Sequence, residues 1–268
     1  MTATDIVFAG SIPGLYERYL GPLLFEPYAD EAAQRAAELA PGRILETAAG
    51  TGIVTEALHR ALPDAEIVAT DLNPAMLQVA EQRIASDKVS FRQADALDLP
   101  FDDGSFDLVV CQFGVMFFPD KVRGNAEARR VLRDGGSYMA IIWDRLDLNP
   151  ASEIANDTVA SLYPDNPPSF LARTPFGYAN RSWIERDLRA AGFGQVRIDT
   201  VALDSKPVSA ADAATGLVAG CPLRSEVEER DADGLDAAVQ ATAEALGELD
   251  KGGSVDSRLS AHIATATK

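Results

Sequence analysis

Cysteine and histidine are scarce in this chain of 268 residues, with two of each. Cys111 and Cys221 stand far apart, in no spacing that suits a zinc site or a redox CxxC pair, so neither disulfides nor a Cys/His metal centre is expected to organise the chain. Basic residues are outnumbered: 24 Lys and Arg against 41 Asp and Glu leave a net charge of −17. Such a surface repels phosphate backbones and anionic lipid headgroups, which removes nucleic acid and membrane surfaces from the expected partners. Long apolar runs are missing as well; none reaches the roughly 20 residues of a membrane span. The opening MTATDIVFAG lacks the basic start and apolar core of a secretory leader. The expectation is a cytoplasmic protein in a reducing compartment, without repeats or low-complexity tracts.

What is present is ordinary in amount and informative in order. The 47% hydrophobic and 24% charged content is that of a globular protein. The middle of the chain alternates short apolar runs with helical patterns, which predicts a parallel sheet wrapped by helices. RILETA, AEIVATD, KVSFRQAD, SFDLVVCQF, SYMAIIWD and QVRIDTVAL read as successive strands, and RLSAHIATATK as a last strand closing the sheet. TGIVTEALHRAL, NPAMLQVAEQRI, NAEARRVLR and RSWIERDLRAAGF read as the helices between them. The second opens with Asn73 as cap and Pro74 at its first position. The locally basic EARRVLR, Glu127 to Arg133, reads as the solvated face of an amphipathic helix.

Three segments break this rhythm: residues 10–40, helical with an aromatic-rich first part, within an N-terminal cap of residues 1–40; residues 145–180, rich in Pro, Asn and aromatics; and residues 205–256, a helical insertion rich in Ala, Glu and Asp. Insertions that follow strands lie at the ligand end of such sheets, so these are expected to form a cap and lid.

The stretch RILETAAGTG, Arg43 to Gly52, joins the first strand to the first helix, where open α/β sheets bind nucleotide-like ligands. A dinucleotide fingerprint GxGxxG fails there, because Thr55 stands at the third glycine position. Other carboxylates complete a different pattern. Asp71 ends the second strand, 21 residues after Gly50, where an ionised carboxylate can accept both hydroxyls of a ribose. Asp95 follows the third strand and suits the exocyclic amine of adenine. Glu46 beside the turn suits an ammonium or sulfonium rather than a phosphate. S-adenosylmethionine is a nucleoside of that charge. Each carboxylate also has a bland reading: a dipole partner or strand-end cap for Glu46, a helix cap for Asp71, a turn residue for Asp95.

ILETAAGTG, VATDLNPAML, ADALDLPFDDGSFDLVVCQF and EARRVLRDGG, taken together and in this order, resemble the class I S-adenosylmethionine-dependent methyltransferases, in the small-molecule group that includes ubiquinone-biosynthesis enzymes. The resemblance covers residues 40–143 and, more weakly, 181–203. It implies a Rossmann-like α/β fold: a seven-stranded, mostly parallel sheet with helices on both faces and the last strand antiparallel. The chain would be a single methyltransferase domain with its core in residues 41–144, 181–203 and 257–268. It also implies that the turn holding Glu46, Ala48, Gly50, Thr51 and Gly52 meets the methionine part of the cofactor S-adenosylmethionine, and that Asp71 meets the ribose. Leu72 and Met76 would line the adenine, Asp95 and Ala96 its polar edge, and Cys111 and Gln112 the methyl being transferred. Two departures stand out. Ala48 replaces a usual glycine, and Met116 to Phe118 replace a histidine pair that often serves as base.

Methyl transfer from an activated donor needs alignment above all, and a base only where the acceptor must lose a proton. His59, on the first helix, and His262, in the last strand, read as structural, and Cys111 as a packed side chain rather than a nucleophile. Catalytic candidates are therefore Tyr16, Tyr19, Gln112 and Tyr178, with Tyr28 and Asp144 as further groups near the mouth. Phe117, Phe170, Arg173 and Tyr178 are expected to contact a small-molecule acceptor with an apolar or aromatic body; Phe118, Phe176 and Trp183 join that list as aromatics, and Arg173 suits an anionic group on it. A homodimer is left open. Two other readings stand beside this one: a non-catalytic S-adenosylmethionine-binding protein, and an NAD-dependent oxidoreductase on a similar sheet.

Overall fold

A computed structural model describes residues 10–268. Their contacts divide into two compact units. The sheet unit comprises Tyr28–Trp143, Tyr178–Val201 and Ala261–Lys268; the helical unit comprises the described part of Met1–Pro27 with Asp144–Gly177 and Ala202–Ser260.

Seven strands form one sheet: β1 (Arg43–Thr47), β2 (Glu66–Asp71), β3 (Val89–Gln93), β4 (Phe106–Gln112), β5 (Leu132–Trp143), β6 (Gln195–Asp204) and β7 (Arg258–Thr267). Their order is β3-β2-β1-β4-β5-β7-β6. The first five run parallel, and β7 pairs antiparallel with β5, from Ser137 opposite Thr267 to Trp143 opposite Ala261. The expected Rossmann-like sheet with an antiparallel last strand is therefore the observed one. Central strands read as continuous apolar runs because both their faces are covered: Ile44 and Leu45 of β1, and Leu108, Val109 and Val110 of β4, are all buried. The chain winds outward from β1 in both directions, toward β2 and β3 on one side and β4 and β5 on the other. The carboxyl ends of β1 and β4 thus flank the topological switch point, the place where open sheets bind ligands.

Helices of this unit are α1 (Glu26–Leu39), α2 (Ile53–Ala61), α3 (Pro74–Arg83), α4 (Lys121–Val131) and α5 (Arg181–Ala190). Asn73 caps α3, its side chain accepting from the Ala75 N–H, with Pro74 at the first position as expected. Asp120 caps α4 in the same way through the Arg123 N–H. One strand departs from the sequence reading. DGG, expected to be a turn before β5, lies inside it: the register jumps from Leu132 opposite Phe106 to Ser137 opposite Leu108, so the intervening residues bulge out of the ladder.

In the helical unit, residues read only as Pro- and aromatic-rich include a regular helix, Pro150–Leu162, and a short one, Phe170–Arg173. Helix Leu235–Leu246 packs on Pro150–Leu162. Among the described residues, no helix is long and apolar enough to cross a membrane.

Candidate cofactor and active site

The turn after β1 is built from left-handed residues at alternate positions: Ala48 (φ 54°), Gly50 (φ 57°) and Gly52 (φ 81°). Gly52 is required twice over, by its φ and because a methyl group there would lie 2.9 Å from Ala80 Cβ of α3. Ala48 adopts the same backbone region with a Cβ, a conformation that costs an L-residue about 1–2 kcal/mol. The departure at this position is one of side chain; the left-handed turn is kept. The turn is tied to β2 by the Ala49 N–H donating to Thr70 O at 2.9 Å and the Gly50 N–H donating to Asp71 Oδ2 at 2.8 Å.

Glu46 is 2% exposed and accepts from Thr55 Oγ1 at 2.5 Å. Burial pushes its carboxyl from 4.5 up to about 8, the Thr55 bond opposing and the Asp71 charge adding to the rise. Thr55, which the sequence offered only as a missing glycine, is thus the hydrogen-bond partner of this acid; residues nine apart in sequence meet only because the turn folds α2 back on β1. Asp71 is held by two backbone groups: Oδ1 accepts from the Asn73 N–H and Oδ2 from the Gly50 N–H, each at 2.8 Å. Burial raises its pKa against those two bonds. Each carboxylate oxygen has a second acceptor direction, so a fixed Asp71 can still receive a diol. Asp71 does not cap α3; Asn73 does that.

Around these acids the expected ligand-facing residues are distributed as follows. Leu72 is a large apolar side chain left 50% exposed at the end of β2. Met76 is buried, with its Cε 3.6 Å from where a Gly50 Cβ would stand. Asp95 is exposed and accepts from the Leu97 N–H at 2.9 Å, a local turn; Ala96 beside it is half-buried. Thr51 is 1% exposed and its hydroxyl has no hydrogen-bond partner among the described residues. An orphaned hydroxyl, two acids and an apolar shelf fit a cationic amino-acid nucleoside. They do not favour a pyrophosphate, which would lie against the acid buried beside the turn. S-adenosylmethionine fits this donor and acceptor set.

At the end of β4, Cys111 is buried and its thiol is pushed up to about 11 by burial, against hydrogen bonds from Thr47 and the Gly114 and Val115 N–H groups. It is no nucleophile. Gln112 is half-buried at the strand end, and Phe117 half-buried in the short turn Val115–Phe117. Phe118 is core: its ring fills the space a Gly124 side chain would need, 2.5 Å from that position. The other groups considered for catalysis in this unit are committed elsewhere. Tyr28 is fully buried and donates to Val201 O at 2.8 Å. The Tyr178 hydroxyl donates to Asp187 Oδ2 at 2.7 Å, and burial with that bond raises its pKa well above the ordinary phenol. His262 donates through Nε2 to Ala179 O at 2.9 Å and meets the Thr200 hydroxyl through Nδ1 at 3.0 Å, a structural role. His59 sits in the last turn of α2, away from the glycine turn at that helix's start.

The basic run on α4 differs from the solvated face that its sequence suggests. Arg130 donates to Leu99 O at 2.8 Å and Phe101 O at 2.7 Å and pairs with Glu127 and Asp103. Glu127 accepts the Leu99 N–H at 2.8 Å, and Arg123 donates to Leu97 O at 2.8 Å. These side chains hold the loop that follows β3 and carries Asp95 and Ala96.

Within the helical unit, Tyr16 stacks on Phe25 with centroids 4.7 Å apart. Tyr19 lies under the Arg18 guanidinium and against Gly216. Phe170 is fully buried, Phe176 is buried, and Trp183, of the sheet unit, is exposed on α5. Arg173 pairs with Glu226 at 2.6 Å, so its charge is already balanced. Asp144 accepts from Ser260 Oγ at 2.8 Å and from the Arg145 N–H at 2.8 Å.

Residues 45–140 match the family described as a methyltransferase domain. The chain is 43% identical over 112 residues to a demethylmenaquinone methyltransferase of Deinococcus radiodurans, covering 41% of this chain and 46% of that one. It is 35% identical over 121 residues to a ubiquinone/menaquinone biosynthesis C-methyltransferase of Methylobacterium nodulans, covering 44% and 48%. The chain thus spans about half the length of the curated relatives it matches. Among solved structures, a phosphoethanolamine N-methyltransferase of Haemonchus contortus bound to phosphomonomethylethanolamine and S-adenosylhomocysteine superposes with a TM-score of 0.62 at 15% identity, covering 100% of this chain and 61% of that one. The YcgJ protein of Bacillus subtilis superposes with a TM-score of 0.58 at 21% identity, covering 90% and 98%. Fold, turn and sequence match point the same way: residues 45–140 are similar to the methyltransferase-domain family, on a fold that class I S-adenosylmethionine-dependent methyltransferases share.

Proposed function

We propose that this protein transfers a methyl group from S-adenosylmethionine to an O, N or C atom of a small acceptor with an apolar or aromatic body. The observation that carries the donor half is the pair of acids at the glycine turn. Buried Glu46 sits beside the turn, and Asp71 is fixed by two N–H groups with acceptor capacity to spare. The acceptor half is supported by the relatives named above, whose names place them in quinone biosynthesis.

When bound, S-adenosylmethionine supplies a methyl group activated for in-line displacement. In this proposal Glu46 and Thr51 hold the amino-acid end, Asp71 the ribose, and Leu72, Met76, Asp95 and Ala96 the adenine. Gln112 and Phe117 face the acceptor from the end of β4. Tyr16 and Tyr19 are kept as catalytic candidates, and Phe170 and Arg173 as acceptor contacts, on sequence grounds alone. The chain's contribution to rate is alignment and exclusion of water, since proximity can supply about 7–11 kcal/mol, while His262, Tyr28 and Tyr178 are engaged in structural bonds.

The test is a screen for S-adenosylhomocysteine release against hydroquinones, phenols, amines and anionic metabolites, with the donor present. Release that depends on one acceptor class supports the proposal. Saturable donor binding with no release across the panel favours a donor-binding protein without catalysis.

A further inference from the structure

Two non-glycine residues in the sheet unit end neighbouring strands in the left-handed region: Ala48 directly after β1 and Phe113 (φ 53°) directly after β4. For alanine the strain is small; for a bulky aromatic residue it is an outlier that survives only where surroundings over-determine it. The surroundings here are aromatic. The Phe113 ring lies parallel to Trp143 at the end of β5, with centroids 3.7 Å apart and planes 3° from parallel. Tyr28 meets both rings edge-on, at 5.4 Å and 5.7 Å. The Phe113 N–H also donates to Ile141 O at 2.8 Å, fixing the residue to β5 from the backbone side.

The kink has a consequence for the cofactor turn. It swings Gly114 against Ala48 so closely that a methyl group at Gly114 would come 2.5 Å from Ala48 Cβ and 2.8 Å from Cys111 Sγ. The ends of β1 and β4 are therefore closely packed across the switch point.

We infer that Phe113 is a positioning residue for methyl transfer: stacked on Trp143, it sets the approach of the Gln112–Gly114 segment to the Ala48 turn. This rests on the donor-binding reading above. The device matters because displacement is sensitive to alignment, where a misplacement of about 1 Å costs on the order of 10²-fold in rate. The ring, rather than the backbone bond to Ile141, is assigned the role.

The experiment uses the full chain and donor labelled with carbon-13 at the methyl, followed by NMR, with S-adenosylhomocysteine affinity and thermal midpoint measured in parallel. Wild type is expected to give one narrow bound methyl resonance. F113L, which removes the ring, F113G, which relieves the left-handed strain without restoring a ring, and W143L are each expected to broaden or split that resonance. Affinity for the product nucleoside should stay within about twofold, the scatter of sites that do not couple. W143F keeps a ring to stack on and is expected to retain the narrow line, and F113L/W143L should be no worse than either single variant. A narrow wild-type-like line in F113L and W143L, or in F113G alone, overturns the inference. Broadening accompanied by an equal loss of nucleoside affinity overturns it too, because the stack would then serve binding as a whole. Wild type that takes up no label overturns the donor-binding reading itself.

Discussion

Ala48 and Gly114 occupy one another's space at the ends of adjacent strands: the Cβ that Ala48 carries fills the volume that any side chain at 114 would need. The glycine turn of this chain has therefore kept its left-handed backbone at 48 while moving the demand for glycine across to 114.

The two positions should couple. G114A is expected to destabilise by about 1–3 kcal/mol through overpacking against Ala48 and Cys111. A48G alone relieves the left-handed strain but also gives up a packed methyl group, and is expected to shift stability by no more than about 1 kcal/mol; in the G114A background it also removes one of the two clashes. The double variant should recover part of the G114A loss, with an interaction energy of about 0.5–3 kcal/mol in a urea-unfolding cycle. Additive effects would separate the two residues.

Glu46 makes donor binding depend on pH. In the ligand-free protein its carboxyl titrates near 8, so at neutral pH it is largely protonated. A bound cation favours the ionised form, so binding releases a proton. Affinity for S-adenosylmethionine should rise with pH by up to about tenfold per unit below 8 and level off above it. E46Q should flatten that dependence and weaken binding at pH 8 by about 1.5–3 kcal/mol. Calorimetry in buffers of different ionisation enthalpy reads the proton directly.

Ligand-free stability should show the opposite trend. The native pKa lies above the ordinary 4.5, so between those values the native state holds a proton that the unfolded state has released. The stabilising contribution is present at low pH and is lost as pH climbs toward 8, with a slope of at most about 1.4 kcal/mol per unit from this group. Denaturant midpoints of wild type and E46Q across that window should converge at low pH and separate at high pH, with E46Q the more stable.

Thr55 tunes this acid. T55V removes the one hydrogen bond that favours the ionised carboxyl and leaves Oε2 buried, so it should cost about 1–3 kcal/mol in donor affinity at neutral pH. It should also move the pH dependence upward. T55S should keep most of the wild-type behaviour. Equal affinities for T55V and wild type from pH 6 to 9 would contradict the role.

Arg130 should report on the adenine side. Its bonds to Leu99 O and Phe101 O fix the loop after β3. R130A is expected to raise the donor Kd several-fold, on the order of 1 kcal/mol, and to expose residues 97–104 to proteolysis. An unchanged donor Kd would confine Arg130 to stability.

Much of this was legible in the sequence. Strand ends fall close to where the apolar runs stop, and the Asn73–Pro74 cap is found as read. Local features of this kind depend on residues close in sequence. What escaped were features set by φ and by contacts between distant segments: the bulge inside β5, the helix Pro150–Leu162, the bond from Thr55 to Glu46, the α4 clamp on the loop after β3, and the Phe113–Trp143 stack. A phenylalanine after an apolar strand looks like one more strand residue; nothing in its neighbours announces a left-handed backbone. Tyr28 and Tyr178 were plausible bases as isolated tyrosines, and only their acceptors, Val201 O and Asp187, reveal them as fastened.

The most direct measurement for the whole account is a calorimetric titration of the full chain with S-adenosylmethionine, S-adenosylhomocysteine and NAD at pH 8. Saturable binding of both adenosyl compounds at one site, weakened in E46Q and D71N, is expected, with no saturable binding of NAD. Tight binding of NAD with none of either adenosyl compound would contradict it.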